Sequence, residues 1–350
     1  MLRSRFSLLT CFAYPVVALS LGCGSIDLES TALSGVQSPT FFVSGRNLVD
    51  PCGQPVVLRG VNEMVTYMPS KDGLPAFKEI AKTKANSVRI YWHTSDSSRD
   101  LDNVLSAAES QDLIAVVYVF NPEPPGSKQP VPTSVAQAVD YWTSTDITNV
   151  IKQHEHWLII ALRERSDSNG GSNDNWASDY DAAVARMRSA SIDVPLAIDA
   201  PNAGSDVDTL LRLGKDRIAA DPLQKLLLNV NSGVLGDSAD TLASQLAAAN
   251  SANLPMLVGE ISWMTHKSDN SCGDPYTYPK VLAAAQETQT GWLAWSWGAR
   301  HNVYCPDLDM TNGGSFDNFT DWGRGAAVTD TNSIQNTSQA PSYVPGGACN

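Results

Sequence analysis

The chain has 350 residues, 43% of them hydrophobic and 17% charged, with a formal net charge of −13. Such a composition excludes a disordered chain and suits one large domain or two small ones. The acidity argues against nucleic acid as a partner, since phosphate binding needs clustered Lys and Arg, and it suits a neutral ligand such as a glycan.

The N-terminus reads as a signal peptide over residues 1–22. Met1-Leu-Arg-Ser-Arg5 is a basic start, and Phe6 to Leu21 is an apolar run too short for a comfortable membrane span. The run ends in Ser20-Leu-Gly-Cys23, which resembles a lipoprotein cleavage site with Cys23 as the lipidated residue. Ordinary cleavage after Ala18-Leu-Ser20 is the alternative. Both imply export, to the cell envelope or outside the cell, with a membrane contact only through the lipid. Loss of Arg3 and Arg5 with the signal takes the net charge from −13 to −15. Residues 23–40 are rich in Ser, Thr and Gly and read as a linker.

Phe41–Leu48, with Gly45-Arg-Asn47, reads as a small β-hairpin plugging the bottom of the main domain. Eight apolar runs come next: Pro55–Asn62, Ala85–Trp92, Leu113–Phe120, His156–Glu164, Val194–Pro201, Lys225–Ser232, Leu254–Ser262 and Gly291–Trp297. Segments at helical spacing lie between them, including Leu74–Lys84, Leu101–Gln111, Tyr180–Ala190 and Ser238–Asn250. Eight alternating units predict an α/β (β/α)8 barrel over residues 41–330. A doubly wound sheet is the structural alternative, but no Gly-rich phosphate loop follows any strand. Residues 331–350 read as an irregular tail.

In such a barrel the site lies at the C-terminal ends of the strands. Those ends offer Asn62 and Glu63, Arg89 to His93, Phe120 and Asn121, Arg163 to Arg165, Asp199, Asn231, Glu260 to Trp263, and Trp295 to Trp297. Glu260 closes an apolar run, where a carboxylate is costly unless that end opens into a site. The Trp295 strand delivers indoles beside it. A carboxylate near an aromatic platform is what sugar chemistry uses.

The cysteines agree with export. Cys11 lies in the signal, and with Cys23 lipidated four remain. Of the three possible pairings, Cys272–Cys305 with Cys52–Cys349 is expected: the first ties the loops on either side of the Trp-rich strand, the second ties the C-terminus to an early turn. No two of these cysteines have metal-ligand spacing. His154-Glu-His156 precedes a strand at the barrel bottom and reads as a solvated turn. Asp167–Asp174 lacks the closing Glu of a calcium loop and reads as a flexible loop.

Several pieces of the chain resemble glycoside hydrolase family 5, and most closely its bacterial β-mannanase branch. They are Gly53-Gln-Pro-Val-Val-Leu-Arg-Gly-Val-Asn62, Ala85-Asn-Ser-Val-Arg-Ile90, Ala138-Val-Asp-Tyr-Trp142, Leu257-Val-Gly-Glu260, Gly291-Trp-Leu-Ala-Trp-Ser-Trp297, Leu308-Asp-Met-Thr-Asn312 and Asp321-Trp-Gly323, spanning about residues 41 to 325. The resemblance implies a monomeric retaining endo-β-glycosidase for β-mannan or a related β-1,4-glucan, with no cofactor and no metal. That family uses two glutamates about 5 Å apart. Glu260 matches the nucleophile, Arg89 the arginine that keeps it ionised and oriented, and Trp295 the stacking indole. Trp263 and Trp92 are further platform candidates, as are Trp142 and Trp176. Asn62, Asn231 and Glu63 are candidate substrate contacts.

The acid/base half departs from the family. Where its fourth strand ends in Asn-Glu, this chain has Arg163-Glu164-Arg165. One register puts Glu164 on the acid/base position; the other puts Glu164 on the Asn position and Arg165 on the acid. The two send Glu164 to opposite faces, and a neighbouring cation opposes proton donation. Phe120 replaces the family's histidine after strand three, and Asn231-Ser-Gly233 replaces its His-x-Tyr. Glu63 or Glu123 could stand in for a lost acid. A barrel retained only for glycan binding is the alternative function, sharing Trp92, Trp263 and Trp295.

Overall fold

The computed structural model describes residues 39–68, 70–122, 131, 133–162, 175–231, 238–267, 271–298, 302–344 and 348–349. The signal segment, Cys23, Glu123, the Arg163-Glu164-Arg165 run and the Asp167–Asp174 loop lie outside the described residues.

The first element is a three-stranded antiparallel sheet of β1 (Phe42–Ser44), β2 (Asn47–Val49) and β3 (Pro55–Val56). Its β1–β2 turn uses Gly45 at φ 58°, a left-handed conformation that costs glycine little. Phe41 and Leu48 join Trp157 and Ile114 in the interior cluster, so the hairpin closes the barrel bottom as expected.

The barrel strands are β4 (Arg59–Glu63), β5 (Ser87–His93), β6 (Ile114–Phe120), β7 (Leu158–Leu162), β8 (Leu196–Asp199), β9 (Leu226–Val230), β10 (Met256–Ile261) and, after the β11–β12 hairpin (Met264–His266 and Cys272–Pro275), β13 (Gly291–Ala294). They close in sequence order, β13 beside β4, with every barrel pairing parallel. All eight are buried along their full length, which is why they read as continuous Val/Ile/Leu runs and not as alternating ones.

Helices pack outside: α1 (Leu74–Ala81), α2 (Ser98–Glu109), α3 (Val135–Trp142), α4 (Thr145–His154), α5 (Trp176–Ser189), the single turn α6 (Pro201–Gly204), α7 (Val207–Ala220), α8 (Ala239–Ser251) and α9 (Tyr278–Glu287). Four start on side-chain caps: Ser97, Ser134 in a capping box with Gln137, Asp206 and Ser238. Their apolar stripes meet the outward residues of the strands in one shell that includes Val88, Ile90, Trp92, Leu158, Ile160 and Val258. At the barrel bottom the Arg188 guanidinium grips Asp221 with two 2.9 Å bonds and donates also to the carbonyls of Ile192 and Val194.

The tail after Asp330 is not irregular throughout. Ile334–Thr337 is a helical turn, Asp50 Oδ2 accepts from the Ser342 amide and hydroxyl and the Tyr343 amide, and β14 (Tyr343–Val344) pairs with β15 (Ala348–Cys349). Both expected disulfides form, Cys52–Cys349 and Cys272–Cys305, with Cα separations of 5.7 and 4.9 Å.

Inside the barrel, residues alternate. At the bottom the inward set is apolar, with Leu58, Ile114, Leu227 and Leu257. Higher up it becomes polar, with Asn62, Arg89, Asp199 and Asn229 buried. β10 breaks the alternation. Val258 faces the helices and Gly259 faces the interior, so strict period two would turn Glu260 outward. The pairing with β13 slips by one residue between Val258 and Ile261, a bulge that re-aims Glu260 inward while Ile261 regains the outer shell. The inward space at Gly259 is filled by β9, since a Cβ there would lie 2.4 Å from Asn229 Oδ1. Gly259→Ala should therefore destabilise the fold by about 1–3 kcal/mol, and Asn229→Ser in that background should recover part of it, as read by urea denaturation.

His154 joins α4 to α2. Its Nδ1 is 2.7 Å from Glu109 and its Nε2 2.9 Å from Asp102. Both nitrogens donate only in the imidazolium. Burial alone would lower the pKa, but the hydrogen bonds to Glu109 and then Asp102 outweigh it and the pKa is raised. A raised folded pKa means the stabilisation is complete below the unfolded value of about 6.5 and is lost as pH climbs through the folded value. The Tm advantage of wild type over His154→Gln is expected to be largest near pH 5.5 and to shrink towards pH 8 in thermal melts.

Candidate active site

The polar top of the barrel is organised by one ion pair. Arg89 Nη1, from the middle of β5, lies 2.8 Å from Glu260 Oε1, with both side chains almost wholly buried. The same nitrogen lies 3.2 Å from Asn62 Oδ1 and 3.4 Å from the Gly259 carbonyl. Asn62 donates in turn to the carbonyls of Gly259 and Ala294 at 2.8 and 3.2 Å, bridging β10 and β13. Beneath, the guanidinium sits 3.9 Å from the centre of the Tyr118 ring. The carboxylate is thus oriented by a cation that is itself held from its edge and its face.

Next to Glu260 lies β13. Trp295, just past its end, belongs to the interior cluster and is 7% exposed. Its Trp295–Ser296 peptide is cis. The indole donates to Asn302 Oδ1 at 3.0 Å. Trp263, two residues past β10, is half-buried and donates to the Asp307 carbonyl at 2.6 Å. On the opposite side, Tyr91 of β5 stacks on Phe120 of β6 at 4.0 Å, and the exposed Tyr67 packs against Tyr91 and edge-on against His93.

Across β8 and β9, Asp199 accepts from Asn229 Nδ2 at 2.7 Å and from Asn231 Nδ2 at 2.9 Å, while Asn231 Oδ1 accepts from Asn229 at 3.1 Å. These inward side chains therefore form a buried polar patch against Gly259.

The structure brings Glu260, Arg89 and Trp295 to one mouth, with Trp263 at its rim. Others fall elsewhere. Trp92 is 0% exposed, lies in the outer shell, and spends its indole N–H on the Tyr141 hydroxyl at 2.9 Å; it is core and not a platform. Trp142 and Trp176 are likewise buried in that shell. Asn62 and Asn231 are fully buried, and their amides are committed to protein partners, so they position neighbours in place of meeting a ligand. Glu63 is buried and in register with Ile90, which faces the helices, so it turns away from the cleft. Glu164 and Arg165 lie outside the described residues. Sequence reasoning missed Tyr118, Asn229, Asn302 and Asp309. Asn229 carried a signal, a lone amide inside the apolar run Leu226–Val230; the loop residues carried none.

No family model matches the chain. Among curated proteins it is 27% identical to the mannan endo-1,4-beta-mannosidase of Cellvibrio japonicus (strain Ueda107), covering 98% of this chain and 78% of that protein. It is 28% identical to the enzyme of the same name from Salipaludibacillus agaradhaerens, covering 87% and 95%. Among solved structures, the β-mannanase of Thermomonospora fusca superposes with a TM-score of 0.75 at 27% identity over 87% of this chain and 99% of that one. The β-mannanase of Streptomyces thermolilacinus with mannohexaose superposes with 0.73 at 26% identity, covering 89% and 98%. Sequence and barrel topology agree: the chain is a (β/α)8 barrel similar along nearly its whole length to these β-mannanases.

Proposed function

We propose that the protein is an exported, retaining endo-β-glycosidase that hydrolyses β-1,4-mannan. The observation that carries this reading is the buried Arg89–Glu260 pair, turned into the barrel mouth by a bulge and set beside the Trp295 strand. An ion pair that served stability alone would need neither the bulge nor an opening, since buried pairs are poor stabilisers. Mannan is chosen over β-1,4-glucans because the similar curated proteins and structures are mannanases.

Glu260 is the nucleophile. Its carboxylate attacks the anomeric carbon as the glycosidic C–O bond breaks, giving a covalent glycosyl-enzyme that water then opens with overall retention. Arg89 holds the carboxylate in line, and Trp295 carries the face of the sugar. Glu164 is assigned as acid/base, protonating the leaving oxygen and later taking the proton from water. Two disulfides suit an oxidising compartment. Lipidation of Cys23 would tether the protein to the envelope through its N-terminus, and the enzyme acts as a monomer without cofactor.

Reducing-sugar release from mannan is the test. Glu260→Gln should lower kcat at least about a thousandfold, and Glu164→Gln should do so less severely on substrates with good leaving groups. The first product of mannohexaose, followed by NMR, should be the β-anomer. Oligosaccharide binding by wild type with no turnover would replace this reading with that of a glycan-binding barrel. Phe120 and Asn231 give that outcome its basis, because both are packed into the protein at positions where the family carries histidine.

A further inference from the structure

The loop after β13 gathers aromatic side chains around one disulfide. Its backbone is clipped to Ser296 on both sides, Ser296 N to the Leu308 carbonyl at 3.2 Å and Met310 N to the Ser296 carbonyl at 2.9 Å. Asn302 is buried and makes three side-chain bonds: it accepts from the Trp295 indole at 3.0 Å, and donates to Ser296 Oγ at 2.9 Å and to Asp309 Oδ1 at 2.6 Å. Asp307 accepts from the Trp263 indole. Cys305 is bonded to Cys272 of the β11–β12 hairpin, which comes after the Glu260 strand.

Between the anchors at Asn302 and Cys305, Val303 and Tyr304 are 48% and 44% exposed. They are two of the four exposed large hydrophobic residues among the described ones, and they are adjacent, so they make a patch and not a scatter. A ring on a pinned turn loses little freedom when a ligand covers it. Asn302 and Asp307, on either side of the patch in the chain, accept from the Trp295 and Trp263 indoles, which points to the same ligand.

We propose that residues 302–310 form a rigid arm of the glycan cleft, in which Asn302 positions the Trp295 indole and Tyr304 presents an outer stacking ring to the next sugars of a bound β-1,4-mannan chain. This rests on the mannan reading above. The Cys272–Cys305 bond holds the arm to the strand segment after the nucleophile, so platform and nucleophile keep one geometry.

Two measurements decide it. In Asn302→Ala, the Trp295 indole N–H, assigned in NMR spectra against Trp295→Phe, should exchange with solvent about tenfold faster, the size of one lost hydrogen bond; an unchanged rate overturns the positioning role. In Tyr304→Ala, the Kd for mannohexaose should rise about fivefold while that for mannotriose stays within about twofold. Equal loss on both sugars, or none on either, sinks the outer-ring role. Cys272→Ser with Cys305→Ser should reproduce the faster exchange and the weaker mannohexaose binding. Cys52→Ser with Cys349→Ser, at the barrel bottom, should produce neither, which separates loss of the arm from loss of the fold. A wild type that binds neither sugar removes the mannan reading and the Tyr304 role together, whereas indole exchange still decides Asn302.

Discussion

The buried ion pair of Arg89 and Glu260 is the constraint on which the upper half of this barrel depends. Two opposite charges taken out of water repay their desolvation only with close geometry and full hydrogen bonding, and breaking such a pair costs about 3–5 kcal/mol. The surroundings meet that requirement at Nη1 alone, since Nε and Nη2 are buried with no hydrogen-bond partner among the described residues. Asn62 and the Gly259 carbonyl lie against the same Arg89 nitrogen, and Tyr118 lies under the guanidinium. Even the β10 bulge belongs to it, because without the extra residue Glu260 would project into the helical shell. A strand irregularity is thus the means by which a core position becomes a reactive one.

A second polar group, Asp199 with Asn229 and Asn231, occupies the neighbouring sector and has a different character. Its members bond to one another, with the two Asn amides directed at Asp199, though Asn229 Oδ1 has no partner among the described residues. Hydrogen-bond networks of this kind rigidify their surroundings. It supports β10 from the side, filling the space that a side chain at position 259 would need. The mouth therefore divides into a sector that holds its charge towards the cleft and a sector that holds the wall.

Fold class was legible because eight apolar runs separated by helical stretches admit few architectures. The cysteine pairing was legible from the positions of four residues around the Trp-rich strand and the termini. The site was legible only in part, and parity explains most of the errors. Trp92 and Glu63 lie near strand ends, yet Arg89 and Asn62 face inward, and a period of two sends Trp92 and Glu63 outward. Glu260 shows the opposite failure, since strict parity would have discarded it and only the register slip against β13 brings it in. Asn302 and Asp309 reach Trp295 through a loop whose path no local pattern encodes.

The closure of the barrel bottom has a practical side. Thr40 is held by Lys225 at the start of β9, and Cys349 is bonded to Cys52 beside the hairpin that plugs the same end. The described chain therefore enters and leaves on the face opposite Glu260. A solid support or fusion partner joined at residue 39 or 349, the ends of the described chain, would leave the cleft unobstructed, so that long, insoluble polymer could be presented to an immobilised protein without blocking its approach.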